Sequence, residues 1–273
     1  MSGILYIVST PIGNLEDMTL RSLRVLKEVD LIAAEDTRRS RKLLTHFDIK
    51  TPMISYWGAK EKVKAEEVLA HLLNDKDVAL ISDAGTPGIS DPGSVLVRRA
   101  LEKAMNVMPV PGPSAMIAAL SISGLPTESF TFIGFLPPKA SQRRKFLSEL
   151  AIKRETLIFY EAPHRVMDTL VDMESIFGAD RKAVVARELT KLHEEILRGT
   201  ISSVIDQLDN STVAGEFVVV IEGRTKSEPV SEDEALAEMK TLMQTGVSRK
   251  DAARKISSTY GLSKKRLYDR SLE

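Results

Sequence analysis

Cysteine is absent from this 273-residue chain. Disulfides, thiolate zinc sites and a cysteine nucleophile are therefore excluded, and the absence fits a reducing, cytoplasmic setting. Aromatic residues make up 5%, with a single tryptophan. The four histidines, His46, His71, His164 and His193, show no metal-ligand spacing, so no metal site is expected. No apolar run approaches the roughly eighteen residues of a membrane span. Met1-Ser2-Gly3 leads straight into a strand-like run, so neither a span nor a signal peptide is expected. Charge of one sign is not in excess: 38 Lys+Arg balance 38 Asp+Glu. That excludes a wholly basic coat and leaves any nucleic-acid contact to local clusters. The G-x-G-x-x-G fingerprint and the Walker A lysine pattern are both missing, which disfavours an NAD or ATP-hydrolysing site.

What is present is an ordinary globular composition, 43% hydrophobic and 28% charged, long enough for two domains or one with an appendage. Apolar strand-like runs alternate with helix-periodic segments. Ile4 to Ser9, Leu31 to Ala34, Pro52 to Tyr56, Val78 to Ser82 and Val107 to Val110 read as strands. Between them lie a helix capped by Thr19, a short helix from Ser40 to Phe47, an amphipathic one from Lys60 to Leu73 and another from Ser94 to Ala104. The last run leads through Pro111-Gly112-Pro113-Ser114 into an Ala-rich helix ending at Ser123. This alternation implies an α/β fold with a largely parallel sheet. A second half starts near Leu125. Its strands are expected at Phe130 to Phe135, Thr156 to Tyr160, Lys182 to Arg187, Glu195 to Arg198 and Phe217 to Glu222. The last three lie close together, which predicts a mixed sheet.

A polar linker, Arg224 to Ser231, precedes a purely helical tail. From Gly246 to Glu273 eight Lys/Arg face three Asp/Glu. Ala252, Ala253 and Ile256 form an apolar stripe, Gly261 turns, and Ser263 caps a last helix with Leu267 and Leu272 inward and Lys264, Lys265 and Arg266 outward. This reads as a basic helix-turn-helix, or as a structural bundle with solvated charges. The division is residues 1–124, 125–224 and 232–273.

Chemistry concentrates in loops. Asp83 to Gly93 holds three glycines, two prolines and two aspartates in eleven residues, directly after a buried strand. Such a loop is stiff and brings backbone close to a ligand, or is merely a tight strand-to-helix turn. With Pro11–Asn14 and Pro111–Ser114 it would frame one cleft at the sheet's carboxyl edge, for a nucleotide-like ligand held by backbone groups, with Pro11 among the contacts. Charged clusters after other strands, Glu35-Asp36-Thr37-Arg38, Glu161 to Arg165 and Arg187 to Lys191, would complete it or serve as caps and ion pairs. His164 is assigned hydrogen bonding or capping rather than catalysis. Lys139, Arg143, Arg144 and Lys145 bind phosphate or begin a solvated helix.

In order along the chain, TPIGNLEDMTLRSLRVLKEVDLIAAEDTR, SDAGTPGISDPG, VPGPSA, GFLPPK, TLIFYEAPHR and ARELTKLHEE resemble the ribosomal RNA small-subunit methyltransferase I family, of the tetrapyrrole-methylase-like superfamily. The resemblance covers essentially the whole chain. It implies two α/β domains with S-adenosylmethionine in the cleft between them, a small C-terminal helix-turn-helix-like domain, and a homodimer. The implied reaction is 2′-O-methylation of a cytidine ribose in the decoding region of 16S rRNA. Gly85, Thr86, Pro87, Gly88, Ile89, Ser90, Asp91, Ser114 and Ala115 would contact the cofactor, joined by Ala162 and Leu189. Arg38, Lys139, Arg143, Arg144, Arg165 and Lys191, with the tail cations, would be available for RNA. A ribose hydroxyl needs a proton acceptor, and Asp36, Glu161 and Glu188 are the candidates.

One departure stands out. Where the family shows a Tyr-His-Glu-His-Asn-like run, this chain reads Tyr56-Trp57-Gly58-Ala59-Lys60-Glu61. Trp57 is expected either in the core or stacked on an RNA base. Two other functions fit part of the pattern: methylation of a tetrapyrrole or other small molecule, and ligand-responsive DNA binding through the tail.

Overall fold

The computed structural model describes residues 2–57, 61–209, 213–224 and 231–272. Its first layer is a five-stranded sheet made by β1 (Ile4–Val8), β2 (Leu31–Ala34), β3 (Met53–Ser55), β4 (Val78–Ile81) and β5 (Asn106–Val110). The order is β3-β2-β4-β1-β5, and every pair is parallel. The strands are short apolar runs because helices cover both faces. Leu5, Leu31, Ala33, Val78 and Leu80 face α3 (Glu61–Leu73) and α4 (Ser94–Glu102). Val8, Ile32, Ala34, Ala79 and Ile81 face α1 (Leu20–Glu28) and α2 (Thr37–His46).

This placement fixes the site. The crossover from β1 runs through α1 on one face, and the crossover from β4 through α4 on the other. Neighbouring strands whose chains depart to opposite faces leave a crevice between their carboxyl ends. The loops after β1 and β4 flank it.

The helix expected from Ser40 begins three residues earlier, at Thr37. Asp36 caps it, its Oδ1 accepting from the Arg38 N–H at 2.8 Å. The first turn, Thr-Arg-Arg, is wholly polar, so apolar periodicity could not reveal it. Thr19 does cap α1, accepting from Ser22 N at 3.0 Å.

The second sheet contains β6 (Phe130–Phe135), β7 (Thr156–Glu161), β8 (Lys182–Arg187), β9 (Glu195–Thr200) and β10 (Phe217–Ile221), ordered β6-β7-β10-β8-β9. It is mixed as expected: β6 and β7 are parallel and the remaining pairs antiparallel. One face packs on α6 (Ala140–Leu150), α7 (Val166–Phe177) and α8 (Ile201–Asp209). The other is covered by α5 (Ala115–Ser123), whose Ala119 and Leu120 join Ile12 against Ile158, Val184, Val218 and Val220. Fully burying one large apolar side chain contributes about 1.5–3 kcal/mol. The junction of the two halves is thus a shared core rather than a hinge.

Three helices close the chain: α9 (Glu232–Gln244), α10 (Arg249–Tyr260) and α11 (Lys264–Arg270). Ser231 and Glu234 form a capping box, and Ser248 and Ser263 cap the other two. Leu236, Met239, Ala252, Ala253, Ile256 and Leu267 form their core. Leu272, expected inward, is 61% exposed, because α11 ends at Arg270 and the next residues turn away. Arg154 ties the bundle to the second sheet's domain. Its guanidinium donates to Thr259 O at 2.6 Å and lies 4.9 Å from the Tyr260 ring centre. No helix among the described residues is long and apolar enough to cross a membrane.

Candidate active site

The loops after β1 and β4 are stitched together by backbone. Thr10 and Gly85 exchange N–H···O bonds of 2.8 and 3.0 Å, and the Ser9 and Thr86 hydroxyls meet at 2.8 Å. Gly85 and Gly88 have φ of 74° and 82°, open to glycine without strain. Ser90 holds a φ of 63° with a side chain, a strained conformation of the kind that clusters at ligand sites. The loop's far end is held by Glu61 from α3, whose Oε1 accepts from Gly93 N at 2.8 Å and from the Tyr56 hydroxyl.

The second domain closes on these loops. A side chain at Gly13 would strike Lys191 and the Leu189 carbonyl, so only glycine lets that loop approach. The Tyr160 hydroxyl at the end of β7 accepts from Met116 N at the start of α5 at 3.2 Å. Phe132 and Phe135 pack edge-on against its ring.

Between the domains lies a cavity of about 300 Å³, within the range of small-molecule sites. From the predicted cofactor set, Gly85, Thr86, Ile89, Ser90, Asp91, Ser114, Ala115 and Ala162 line it. Pro11 lines a neighbouring cavity. Pro87 and Gly88 line neither and shape the loop behind, and Leu189 is buried in the interdomain core with Ile12. Tyr160, Phe135, Glu216 and Val218 also line the first cavity. Sequence reading passed over them, although a polar-tipped aromatic ending a strand was the available signal for Tyr160.

The neighbouring cavity, about 430 Å³, is mostly charged. Glu35, Asp83 and Asp91 line one side, with Arg39, Lys191 and Glu216 around them. Burial, then the charges of Glu35 and Asp83, push the Asp91 carboxyl up to about 6, against the Ser82 hydroxyl. Glu35 is also raised, chiefly by burial.

Of the three expected proton acceptors, only Glu161 lines a cavity, the first one. Asp36 caps α2 and is held down to about 2 by its hydrogen bonds to Arg38, and it lines neither cavity. Glu161 is 2% exposed, and its carboxylate is taken up by Thr169 Oγ1, Arg165 and Ala162 N. Burial alone would raise Glu188, but the Lys191 ammonium and Glu216 N–H bring it below the ordinary carboxylate value.

The expected RNA contacts divide. Arg38, Lys139, Arg144, Lys264, Lys265 and Arg266 are exposed, Arg144 paired to Asp172 and Arg266 to Glu232. Lys191 is half-buried on the charged cavity. Arg143 is corrected: it is 4% exposed and donates to Asp172 at 2.7 Å, so it braces α6 against α7. Arg165 is corrected likewise, because its guanidinium holds the Leu136 and Pro137 carbonyls. Arg39 and Lys42 were missed. Spaced i, i+3 on α2, they line the charged cavity and an adjoining hollow over Leu15. Trp57 is 44% exposed beyond the end of β3, which overturns the core placement. Gly58, Ala59 and Lys60, the rest of that departure, lie outside the described residues, as does most of the expected linker.

Comparison with known proteins places these features. The family model described as "Tetrapyrrole (Corrin/Porphyrin) Methylases" matches residues 4–205. A Synechocystis sp. protein named "Ribosomal RNA small subunit methyltransferase I" is 48% identical, over 99% of this chain and 98% of its own. One of the same name from Halalkalibacterium halodurans is 45% identical over 98% and 94%. Among solved structures, the uroporphyrin-III C-methyltransferase of Thermus thermophilus, complexed with S-adenosylhomocysteine, shares the fold. Its TM-score is 0.55 at 17% identity, covering 80% of this chain and 96% of its own.

Proposed function

The chain belongs to the ribosomal RNA small subunit methyltransferase I family, and from that premise we propose that it methylates the 2′-hydroxyl of a cytidine ribose in 16S rRNA, using S-adenosylmethionine. The observation that carries the reading is the pair of adjoining cavities, one largely apolar and walled by both domains, the other charged. The first suits the cofactor: Ile12, Ile89, Ala115 and Val218 offer apolar surface for an adenosine. Glu216 and the Tyr160 and Phe135 rings offer what a sulfonium cation attracts. When bound, S-adenosylmethionine supplies an electrophilic methyl whose sulfur leaves neutral.

The chain's own residues orient. The stitched loops after β1 and β4 fix one wall of the cleft and the Tyr160–Met116 bond fixes the other. Orientation of this kind supplies up to roughly 7–11 kcal/mol to well-placed reactants. RNA arrives along α2, where Arg38, Arg39, Arg41 and Lys42 are exposed in succession, with Lys264 and Lys265 of the tail as a second contact. The protein acts in the cytoplasm on the small ribosomal subunit. It does so as a homodimer, supported by apolar side chains left exposed on β5 and α5: Met108, Ile117 and Ile122.

The test is incubation of purified protein with methyl-labelled S-adenosylmethionine and small subunits lacking the modification. Label is expected on one cytidine ribose by mass mapping. Label on a base, on a small molecule alone or nowhere would overturn the reading.

A further inference from the structure

The two cavities meet at Ile12, Ala84, Asp91 and Glu216. Only the two acids there can take up a proton. Glu216 is largely exposed, and its carboxylate is paired with Lys191 at 3.1 Å. Asp91 is half-buried, and no cation is ion-paired to it among the described residues. It follows Ser90, whose left-handed backbone turns it toward the junction. Gly134 of β6 packs on that serine: a side chain there would come within 3.0 Å of its hydroxyl. The second domain thus backs the segment that presents Asp91.

We propose that Asp91 is the proton acceptor for the ribose hydroxyl as it is methylated, the sugar entering from the charged cavity. The inference rests on the reading that the acceptor is a ribose. As the oxygen–carbon bond forms, the methyl–sulfur bond breaks with its electron pair remaining on sulfur. The hydroxyl proton passes to the Asp91 carboxylate and then to solvent. No further reactant is needed.

The surroundings suit the task. Glu35 from the end of β2 and Asp83 from the same loop face Asp91 with like charge. Arg39 of α2, Lys191 and Glu216 complete the charged cavity, and Tyr160 stands across the apolar one. A carboxyl lifted to about 6 is still ionised at neutral pH, yet is a stronger base than an ordinary carboxylate. Asp36 caps a helix away from both cavities, Glu161 lines only the apolar cavity with both oxygens hydrogen-bonded, and Glu188 is lowered.

Asp91→Asn keeps the shape and removes the basicity. Single-turnover methylation of unmodified small subunits should fall on the order of 10²- to 10⁴-fold, while calorimetric affinity for S-adenosylmethionine stays within threefold. The wild-type rate should climb as pH rises through about 6, and the variant should lose that limb. Without substrate, the ¹³Cγ resonance of Asp91 should titrate near 6. A variant within fivefold of wild type overturns the proposal, as does a loss of cofactor affinity that matches the loss of rate. Wild-type label on a base overturns the ribose reading and this proposal together. Label on ribose with an active Asp91→Asn overturns this proposal alone.

Discussion

Arg143 shows how far a residue's type can mislead about its role. In sequence it is one of four cations after a Pro-Pro turn and reads as phosphate-binding or as the start of a solvated helix. Folded, it is buried and paired with Asp172, which also receives Arg144 at 3.3 Å. Breaking a buried ion pair from one side typically costs about 3–5 kcal/mol, because the remaining charge is stranded. Arg144 stays to neutralise Asp172, so Arg143→Ala should cost roughly 3 kcal/mol, at the low end of that range. Thermal unfolding should show a drop of several degrees, with RNA affinity of the folded protein nearly unchanged. A large loss of affinity at unchanged stability would instead return Arg143 to the RNA surface. Asp91 is the opposite case. Its aspartate was visible in the DAGTPGISDPG loop, but its shift comes first from burial and then from Glu35, just past β2. Neither can be read from a neighbour in sequence.

Among the elements, the strands were the most legible. Leu31–Ala34 and Val78–Ile81 are buried at every position, a pattern only a doubly covered sheet accepts. The Gly/Pro loops were legible because few other sequences can make such turns. Helix α2 was only half legible: its polar first turn hid its start, and with it the shared face of Arg39 and Lys42. That face now carries its own expectation. Arg39→Ala with Lys42→Ala should weaken binding to 16S rRNA at every sequence tested. It should also flatten the dependence of log affinity on log salt by roughly 1 to 2, as lost phosphate contacts do. An unchanged slope would remove α2 from the RNA path.

At the scale of the molecule, two α/β layers share one core, whereas the three-helix tail is attached through a few polar contacts. Arg154 to Thr259 and Arg224 to Glu234 are among them. Removing residues 232–273 should therefore leave cofactor affinity intact while weakening binding to the small subunit. A folded truncation that no longer binds S-adenosylmethionine would show that the bundle supports the cleft instead.

The exposed indole of Trp57 has a practical consequence. It is the single tryptophan of the chain, placed just past β3 on the carboxyl edge where the loops after β1 and β4 emerge. Its emission under selective excitation comes from one address, without labelling or mutation. Quenching or a spectral shift on mixing with RNA would time the arrival of substrate at that edge. Silence on adding cofactor alone would show that the two ligands are sensed at separate places. The lone indole thus leaves this chain with a built-in optical clock.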